Sequence, residues 1–353
     1  MTKRFEHGLV MGKFYPLHAG HSALIRRAAA DCARVTVQVL GSALESIPLD
    51  VRASWIREVH PDVEVVAAYD EHPVDFDDPV AWDLHMAVIR SLLTSPVDAV
   101  FTSDEYGIEL ARRLGAQWIQ VDPGRLEVPM SGTAARADPA AAWWALSPPV
   151  RAWFCRRVVV LGAESTGTTT LARDLAAHYG TTWVPEYGRT WTEKRPGGLT
   201  APWESWEFDL VAERQAVMED AAARTAPRPL IICDTDVLAT AIWHERYIGS
   251  TSPALLALAE ARRPDLYLLT DCDVPFVQDG MRDGEHLREW MTDRFCEVLG
   301  AQPAPWIKLA GTRRNRLAAS IEAVDSGSGG AISGAIRRTG RSEARAPRLR
   351  RRQ

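Results

Sequence analysis

The sequence predicts an α/β fold with parallel sheets, laid out twice in tandem along 353 residues. Three observations predict it. Strand-like apolar runs alternate with amphipathic helical stretches, the pattern of β-α-β units. The alternation pauses near residue 150 and restarts at Arg156. Each half also carries a glycine-bearing turn set directly between a strand and a helix, at Gly12 and at Gly162.

In the first half, residues 7–11, 34–40, 63–69, 98–103 and 116–121 are short runs rich in Val, Ile, Leu and aromatic residues and are expected to be strands. Helical periodicity covers 21–33, 49–59, 79–93 and 105–114. The segment DPAAAWWALSPPVRAWFC reads as a helical connection broken at Pro148-Pro149, with its tryptophans buried at a packing surface. In the second half, strands are expected at 156–163, 181–186, 229–234, 265–270 and 305–310. Helices are expected around 168–179, 203–224, 237–247, 252–262, 287–299 and 312–324. The domains expected are therefore 1–150 and 156–324. Residues 325–353 are rich in Gly, Ser and Arg and poor in large apolar residues, and are expected to form a disordered basic tail.

Apolar content of 46% with 25% charged residues fits a soluble globular protein. No apolar run approaches the ~18 residues a membrane helix needs. The N-terminus lacks the apolar stretch of a secretory signal, so a cytoplasmic location without membrane partners is expected. Five cysteines are scattered, without a C-x-x-C pair or Cys/His cluster to suggest zinc, and are expected to be reduced core residues. The stretch from Ser326 carries eight arginines against Glu343, a local +7, so the rest of the chain holds −12 of the overall −5. Lysine occurs only at 3, 13, 194 and 308. Arginine therefore supplies nearly all the positive charge.

GKFYPLHAGH ends the first strand and opens a helix. Gly12 and Gly20 permit close backbone approach, and a helix N-terminus offers free N–H groups to an anion. His18 and His21, three apart at that turn, can both donate to charge developing at phosphorus. MSGTAAR follows the fifth strand. Ser131 can cap its helix, and Thr133 and Arg136 project to one side, as suits the outer phosphates of a triphosphate.

These residues resemble the HxGH nucleotidyltransferases, a Rossmann-like fold. KFYPLHAGH, FTSDEYG and SGTAAR together are similar to the bifunctional nicotinamide mononucleotide (NMN) adenylyltransferase/ribosylnicotinamide kinases. The resemblance covers roughly residues 6–324. It implies attack of the NMN phosphate on the α-phosphate of ATP, giving NAD and pyrophosphate. His18 and His21 would stabilise the transition state. Arg136 with Thr133 and Ser131 would hold the outer phosphates, with Gly12, Lys13 and Phe14 nearby. Mg²⁺ would bridge the phosphates. Trp82 matches a tryptophan near the nicotinamide ring in the family, although core packing explains it equally well.

The resemblance implies a P-loop kinase next, and RRVVVLGAESTGTTTL supplies its strand, loop and helix in order. Gly162 and Gly167 bracket the loop. Glu164, Ser165, Thr166, Thr168 and Thr170 would line the phosphates, and Thr169 would reach Mg²⁺. The acidic pair Asp234 and Asp236 ends a strand, as expected near a metal. Glu186, Tyr187 and Arg189 in EYGR resemble a substrate-binding motif. Arg282 and Arg288, in a segment resembling a lid, would close on ATP. Tyr247, with Trp243, is a candidate to stack on nicotinamide. Thr168 stands where the motif has lysine, and losing one such charge commonly costs ~10²–10³ in rate.

Three functions are therefore expected in turn. The first is NAD synthesis from nicotinamide riboside through NMN, with ATP as co-substrate. The second is an adenylyltransferase whose P-loop half only senses nucleotide. The third is an adenylyltransferase for another acceptor, such as phosphopantetheine. The helix-turn-helix domain of some family members is not seen, so DNA binding is disfavoured, and the sequence is compatible with a homo-oligomer.

Overall fold

Strands form where the apolar runs place them. In the computed structural model, which describes residues 3–327 apart from Phe76 and Met281, the first unit holds β1 (Phe5–Gly12), α1 (Ala19–Asp31), β2 (Cys32–Gly41), α2 (Leu49–Val59), β3 (Glu64–Tyr69), α3 (Pro79–Ser91), β4 (Ala99–Thr102), α4 (Tyr106–Leu114), β5 (Gln117–Gln120), α5 (Gly132–Ala137) and α6 (Pro148–Phe154). Its sheet runs β3-β2-β1-β4-β5 and every pairing is parallel. The chain moves outward from β1 to β3, then returns to β4 on the other flank of β1. That reversal opens a crevice beyond the carboxyl ends of β1 and β4, where ligands bind in open α/β sheets.

The second unit holds β6 (Arg156–Gly162), α7 (Thr168–Tyr179), β7 (Thr182–Val184), α8 (Tyr187–Lys194), α9 (Ser205–Thr225), β8 (Leu230–Asp234), α10 (Val237–Ile248), α11 (Pro253–Ala261), β9 (Leu266–Thr270), α12 (Arg288–Ala301), β10 (Trp306–Leu309) and α13 (Arg313–Ser326). Its sheet runs β10-β9-β6-β8-β7, again all parallel. The units divide as Met1–Cys155 with Ala223–Pro229, and Arg156–Ala222 with the chain from Leu230 onward.

Central strands are buried along their length because helices cover both faces, which is why their sequences read as unbroken apolar runs. β4, β8 and β9 have no exposed position, whereas the edge strands β3 and β5 are only half-buried or exposed. Leu9, Met86, Ile89, Val100 and Leu110 pack one core, and Val158, Val160, Leu171, Leu175 and Leu268 pack the other. Among the described residues no helix is long and apolar enough to cross a membrane. Cys32, Cys155 and Cys233 are buried, and no disulfide joins any of the five cysteines.

Four local expectations change. Pro148 does not break a helix but opens α6, since its missing N–H falls where a first-turn donor has no partner anyway. Trp143 is buried, its indole donating to the Ala226 carbonyl at 2.8 Å, whereas Trp144 is 58% exposed. The strand before EYGR stops at Val184, because Pro185 cannot donate to the ladder, and Tyr187 starts α8, unforeseen from the sequence. The predicted tail begins slightly later, as α13 extends to Ser326. Residues 328–353 of that tail lie outside the described residues.

Arg157, at the start of β6, is buried and donates to Glu219 at 2.9 Å and to the Arg262 carbonyl at 2.9 Å. Burial drives the Glu219 carboxyl upward, and the two arginines act against it. Arg157→Ala should destabilise the second unit by about 1–3 kcal/mol, since it leaves the buried Glu219 with Arg262 alone. Urea unfolding followed by tryptophan fluorescence and circular dichroism measures it.

Candidate active sites

The turn after β1 sets the first site. Phe14 adopts a left-handed backbone (φ 45°), and its buried ring packs on His21 with centroids 4.9 Å apart. Phe14 thus supports the site by packing and does not line its cavity. His18 caps α1, its Nδ1 accepting from the Gly20 N–H at 3.2 Å. An accepting Nδ1 fixes the neutral tautomer with its proton on Nε2. His21 stacks on His18 at 3.8 Å between centroids. Burial, and then Arg125, lowers the His18 pKa to about 4. Burial, His18 and Arg125 in turn hold His21 well below the ordinary histidine range. At neutral pH the pair therefore offers neutral N–H donors and no positive charge.

Both histidines line a cavity of about 600 Å³ with Gly12, Lys13, Trp82 and Arg125. Lys13 is paired with Glu45 at 2.9 Å. Glu45 also holds the fully buried Arg52 at 2.7 Å, and Arg52 donates to the Lys13 carbonyl at 2.9 Å. Trp82 is buried, with Arg113 over its ring at 5.6 Å, and presents one edge to the cavity. Trp82 thus packs in the core and also forms part of the cavity wall. Ser131 caps α5 by accepting from the Ala134 N–H at 3.1 Å. Arg136 and Thr133 meet at 3.4 Å, as their spacing predicts. Arg136 also donates to the Tyr15 carbonyl and lies over the Tyr15 ring at 4.0 Å. Gly132 is demanded here, since a Cβ would sit 2.6 Å from the Tyr15 oxygen. Glu45, Arg52 and Arg125 belong to no local motif, so only packing reveals them.

The second site forms at the end of β6. Gly162 lies so close to β9 that a Cβ would meet the Thr270 carbonyl at 2.9 Å. Ser165 is left-handed (φ 59°) and Gly167 sits at φ 89° as the residue before α7. Thr166 turns inward, its hydroxyl 2.7 Å from the Ala163 carbonyl and from the Thr270 hydroxyl. Thr170 is exposed on α7, away from the cavity. The hydroxyls of Thr168 and Thr169 favour the charged form of the buried Asp234 carboxyl. That carboxyl is nonetheless pushed up to about 6, because burial outweighs the two hydroxyls.

Asp236 departs from the expected catalytic role. Its Oδ1 accepts from the Ala239 N–H at 3.1 Å and its Oδ2 from the Tyr267 hydroxyl at 2.8 Å, so it is a buried cap of α10. Its neighbour Thr235, at φ 69°, turns the chain between the two acids.

Thr168, Thr169 and Asp234 share a cavity of about 160 Å³ with Glu186, Arg189, Arg282 and an aromatic wall. Glu186 is pushed up to about 7 by burial and then by Asp234. Tyr247 and Trp243 belong to the wall, and so do Trp203 and Phe208, which the sequence did not single out. Trp203 lies 5.3 Å from Tyr247 and 5.0 Å from Phe208. Tyr187 stays outside, its backbone N–H donating to Gln215 at 2.9 Å. The predicted lid contacts the loop: Gly284 N–H donates to Glu164 at 2.8 Å and Val277 N–H to the Ser165 hydroxyl at 2.8 Å. Arg282 reaches the Ser165 hydroxyl at 3.3 Å, while the buried Arg288 donates to the Val274 carbonyl at 2.9 Å. Arg246, also missed, pairs with Glu164 at 2.9 Å.

The model of the AAA domain family matches residues 157–316. The chain is 30% identical over 295 residues to the trifunctional NAD biosynthesis/regulator protein NadR of Escherichia coli (strain K12), covering 78% of this chain and 71% of that protein. The NadR protein of Salmonella typhimurium matches to the same extent. A crystal structure of NadR protein in complex with NR matches with a TM-score of 0.71 at 22% identity, over 92% of this chain and 96% of that one. A crystal structure of NadR protein in complex with NAD and AMP-PNP matches with a TM-score of 0.70 at 22% identity, over 93% and 98%. Likeness at that identity shows a shared fold: two parallel α/β sheets, the second with a P-loop.

His18 is both helix cap and cavity residue, and two variants separate these roles. His18→Ala should cost about 1 kcal/mol of stability by uncapping α1, and His18→Asn much less, since Asn caps well. The His18 pKa falls from 6.5 in the unfolded chain to about 4. Between those values only the unfolded chain takes up the proton, so stability should fall as pH drops from 6.5 toward 4. Thermal melts across pH should show a shallower fall in His18→Asn.

Proposed function

Since this chain belongs to the NadR family of NAD biosynthesis and regulator proteins, we propose that it performs two consecutive transfers. The P-loop unit phosphorylates nicotinamide riboside with ATP, and the N-terminal unit transfers the adenylyl group of a second ATP to NMN, giving NAD and pyrophosphate. The observation that carries the reading is one cavity lined both by Thr168, Thr169 and Asp234 and by the rings of Trp203, Phe208, Trp243 and Tyr247. Hydroxyls and a carboxylate suit a metal-bound phosphate, and flat rings suit an aromatic base.

In the kinase step the riboside's primary hydroxyl attacks the γ-phosphorus. An O–P bond forms as the bond to the ADP oxygen breaks, and the hydroxyl proton passes to Glu186. A carboxylate whose pKa is about 7 is matched to that task near neutral pH. The oxygen donors Thr169 and Asp234, which line one cavity, fit Mg²⁺, which would neutralise phosphate charge. Arg189 and Arg282 supply positive charge from the cavity wall.

In the adenylyl step the NMN phosphate attacks the α-phosphorus of ATP and pyrophosphate leaves, with no covalent enzyme intermediate. His18 and His21 act here as neutral donors, whose strength lies in fixed orientation next to the first turn of α1. Arg136 with Thr133 holds the outer phosphates. Trp82 stands at the cavity wall where a nicotinamide ring would lie.

Thr168 favours a second reading of the P-loop unit as a nucleotide sensor without turnover. Its side chain lines the same cavity as Asp234 and brings no charge to the loop.

Purified protein given ATP, Mg²⁺ and nicotinamide riboside should form NAD, whereas NAD from NMN but not from the riboside would leave only the adenylyl step. Glu186→Gln should lower riboside phosphorylation by about 10²–10⁴-fold while sparing NAD formation from NMN. The wild-type kinase rate should rise with pH through about 7, as Glu186 ionises, and level off above it. That rise should vanish in Glu186→Gln. In Thr168→Lys, an unchanged kinase rate is expected if arginines already supply the charge, whereas a gain of about 10²-fold or more would favour the sensor reading.

A further inference from the structure

Asp70, His72 and His85 stand together on the wall of the N-terminal cavity. Asp70 directly follows β3, His72 lies two residues on, and His85 stands on α3. Asp70 Oδ1 is 2.9 Å from His72 Nδ1, and Oδ2 is 2.6 Å from His85 Nδ1. The three ligand-capable atoms all lie within 4.8 Å of one another. All three residues line the cavity.

The orientation of His85 gives this cluster its meaning. Its Nε2 faces the Pro73 carbonyl at 3.0 Å, and a carbonyl only accepts, so Nε2 carries the proton. In the neutral ring the Nδ1 lone pair then points at a carboxylate oxygen. Two lone pairs at that separation repel unless they share a cation: a second ring proton, which makes the ring an imidazolium hydrogen-bonded to Asp70, or a metal ion. A backbone carbonyl accepting from the far nitrogen is also the support that metal-ligating histidines receive, since it fixes tautomer and ring direction.

We propose that Asp70, His72 and His85 form a binding site for a borderline divalent cation of the Zn²⁺ type, with at least one coordination position open to the cavity. Two imidazole nitrogens and one carboxylate oxygen suit Zn²⁺, whereas Mg²⁺ prefers oxygen alone. Three protein ligands leave a fourth position for water or for an anionic oxygen of a molecule in the cavity. This Asp-x-His…His spacing belongs to no short metal motif, and the cluster closes only when α3 packs beside the end of β3. The inference rests on these side chains and not on the adenylyl-transfer reading, so either can fail alone.

The test uses the full chain stripped of metal. Zn²⁺ is titrated in competition with a chromophoric chelator, and Co²⁺ is followed by visible absorption. One equivalent of Zn²⁺ should bind, and Co²⁺ should give the bands of a nitrogen- and oxygen-ligated ion without thiolate charge transfer. His72→Ala and His85→Ala should each weaken Zn²⁺ binding at least tenfold. His178→Ala, an exposed histidine of α7, should leave it unchanged. His72 is the more exposed of the pair (38% against 17% for the side chain). His72→Ala is therefore the variant that decides if His85→Ala fails to fold, as judged by circular dichroism. Absent binding, a thiolate band, or undiminished affinity in His72→Ala overturns the proposal.

Discussion

The first turn of an α-helix exposes N–H groups that nothing inside the helix can satisfy, and both units are arranged around this deficit. In the N-terminal unit the ring nitrogen of His18 answers one of those donors at the start of α1. In the second unit α7 begins with no side-chain cap at all. Its donors are left to the loop and to whatever anion enters it. Each deficit sits at the carboxyl end of the central strand of a parallel sheet. There the glycine-bearing turn brings the backbone within reach of an anionic ligand. The positions of His21, Asp234 and Glu186 follow from that placement.

The strand and helix pattern was legible because burial on both sheet faces leaves a direct trace: long apolar runs in the central strands, and 3.6-residue periodicity in the helices that cover them. The second loop was legible because close approach excludes every residue but glycine at Gly162, whereas a Cβ at Gly12 would meet nothing nearer than the Phe14 ring at 3.7 Å. What escaped notice is spatial. Trp203 and Phe208 come from the α8–α9 region and Tyr247 from α10, so their wall exists only after packing. Asp70, His72 and His85 meet across a strand end and a helix in the same way. Asp236 shows the reverse error. An acid after a strand and before a helix satisfies the spacing of a metal ligand and of a helix cap alike, and only its bonds to Ala239 and Tyr267 decide between them.

The arginine richness of the chain does not translate directly into charge for a phosphate. Arg189 and Arg282 both pair with Asp279, at 2.9 and 3.4 Å, so two guanidiniums share one carboxylate. Arg246 is bound to Glu164, and Arg288 to backbone carbonyls. Against these stand Asp234 and Glu186, each raised by burial. The balance of the cavity is therefore set by how its pairs are arranged, and the uncharged Thr168 leaves that balance to Arg189 and Arg282.

The contacts of Glu164 and Ser165 carry a consequence for cooperativity. Both residues belong to the loop, yet their side chains hold the segment around Val277 and Gly284. Withdrawing that segment exposes polar groups on each side at once, and it also takes away part of what orders the loop's left-handed turn at Ser165. Loop and segment are thus tied into one cooperative unit: loosening either side leaves the other's polar groups without these partners.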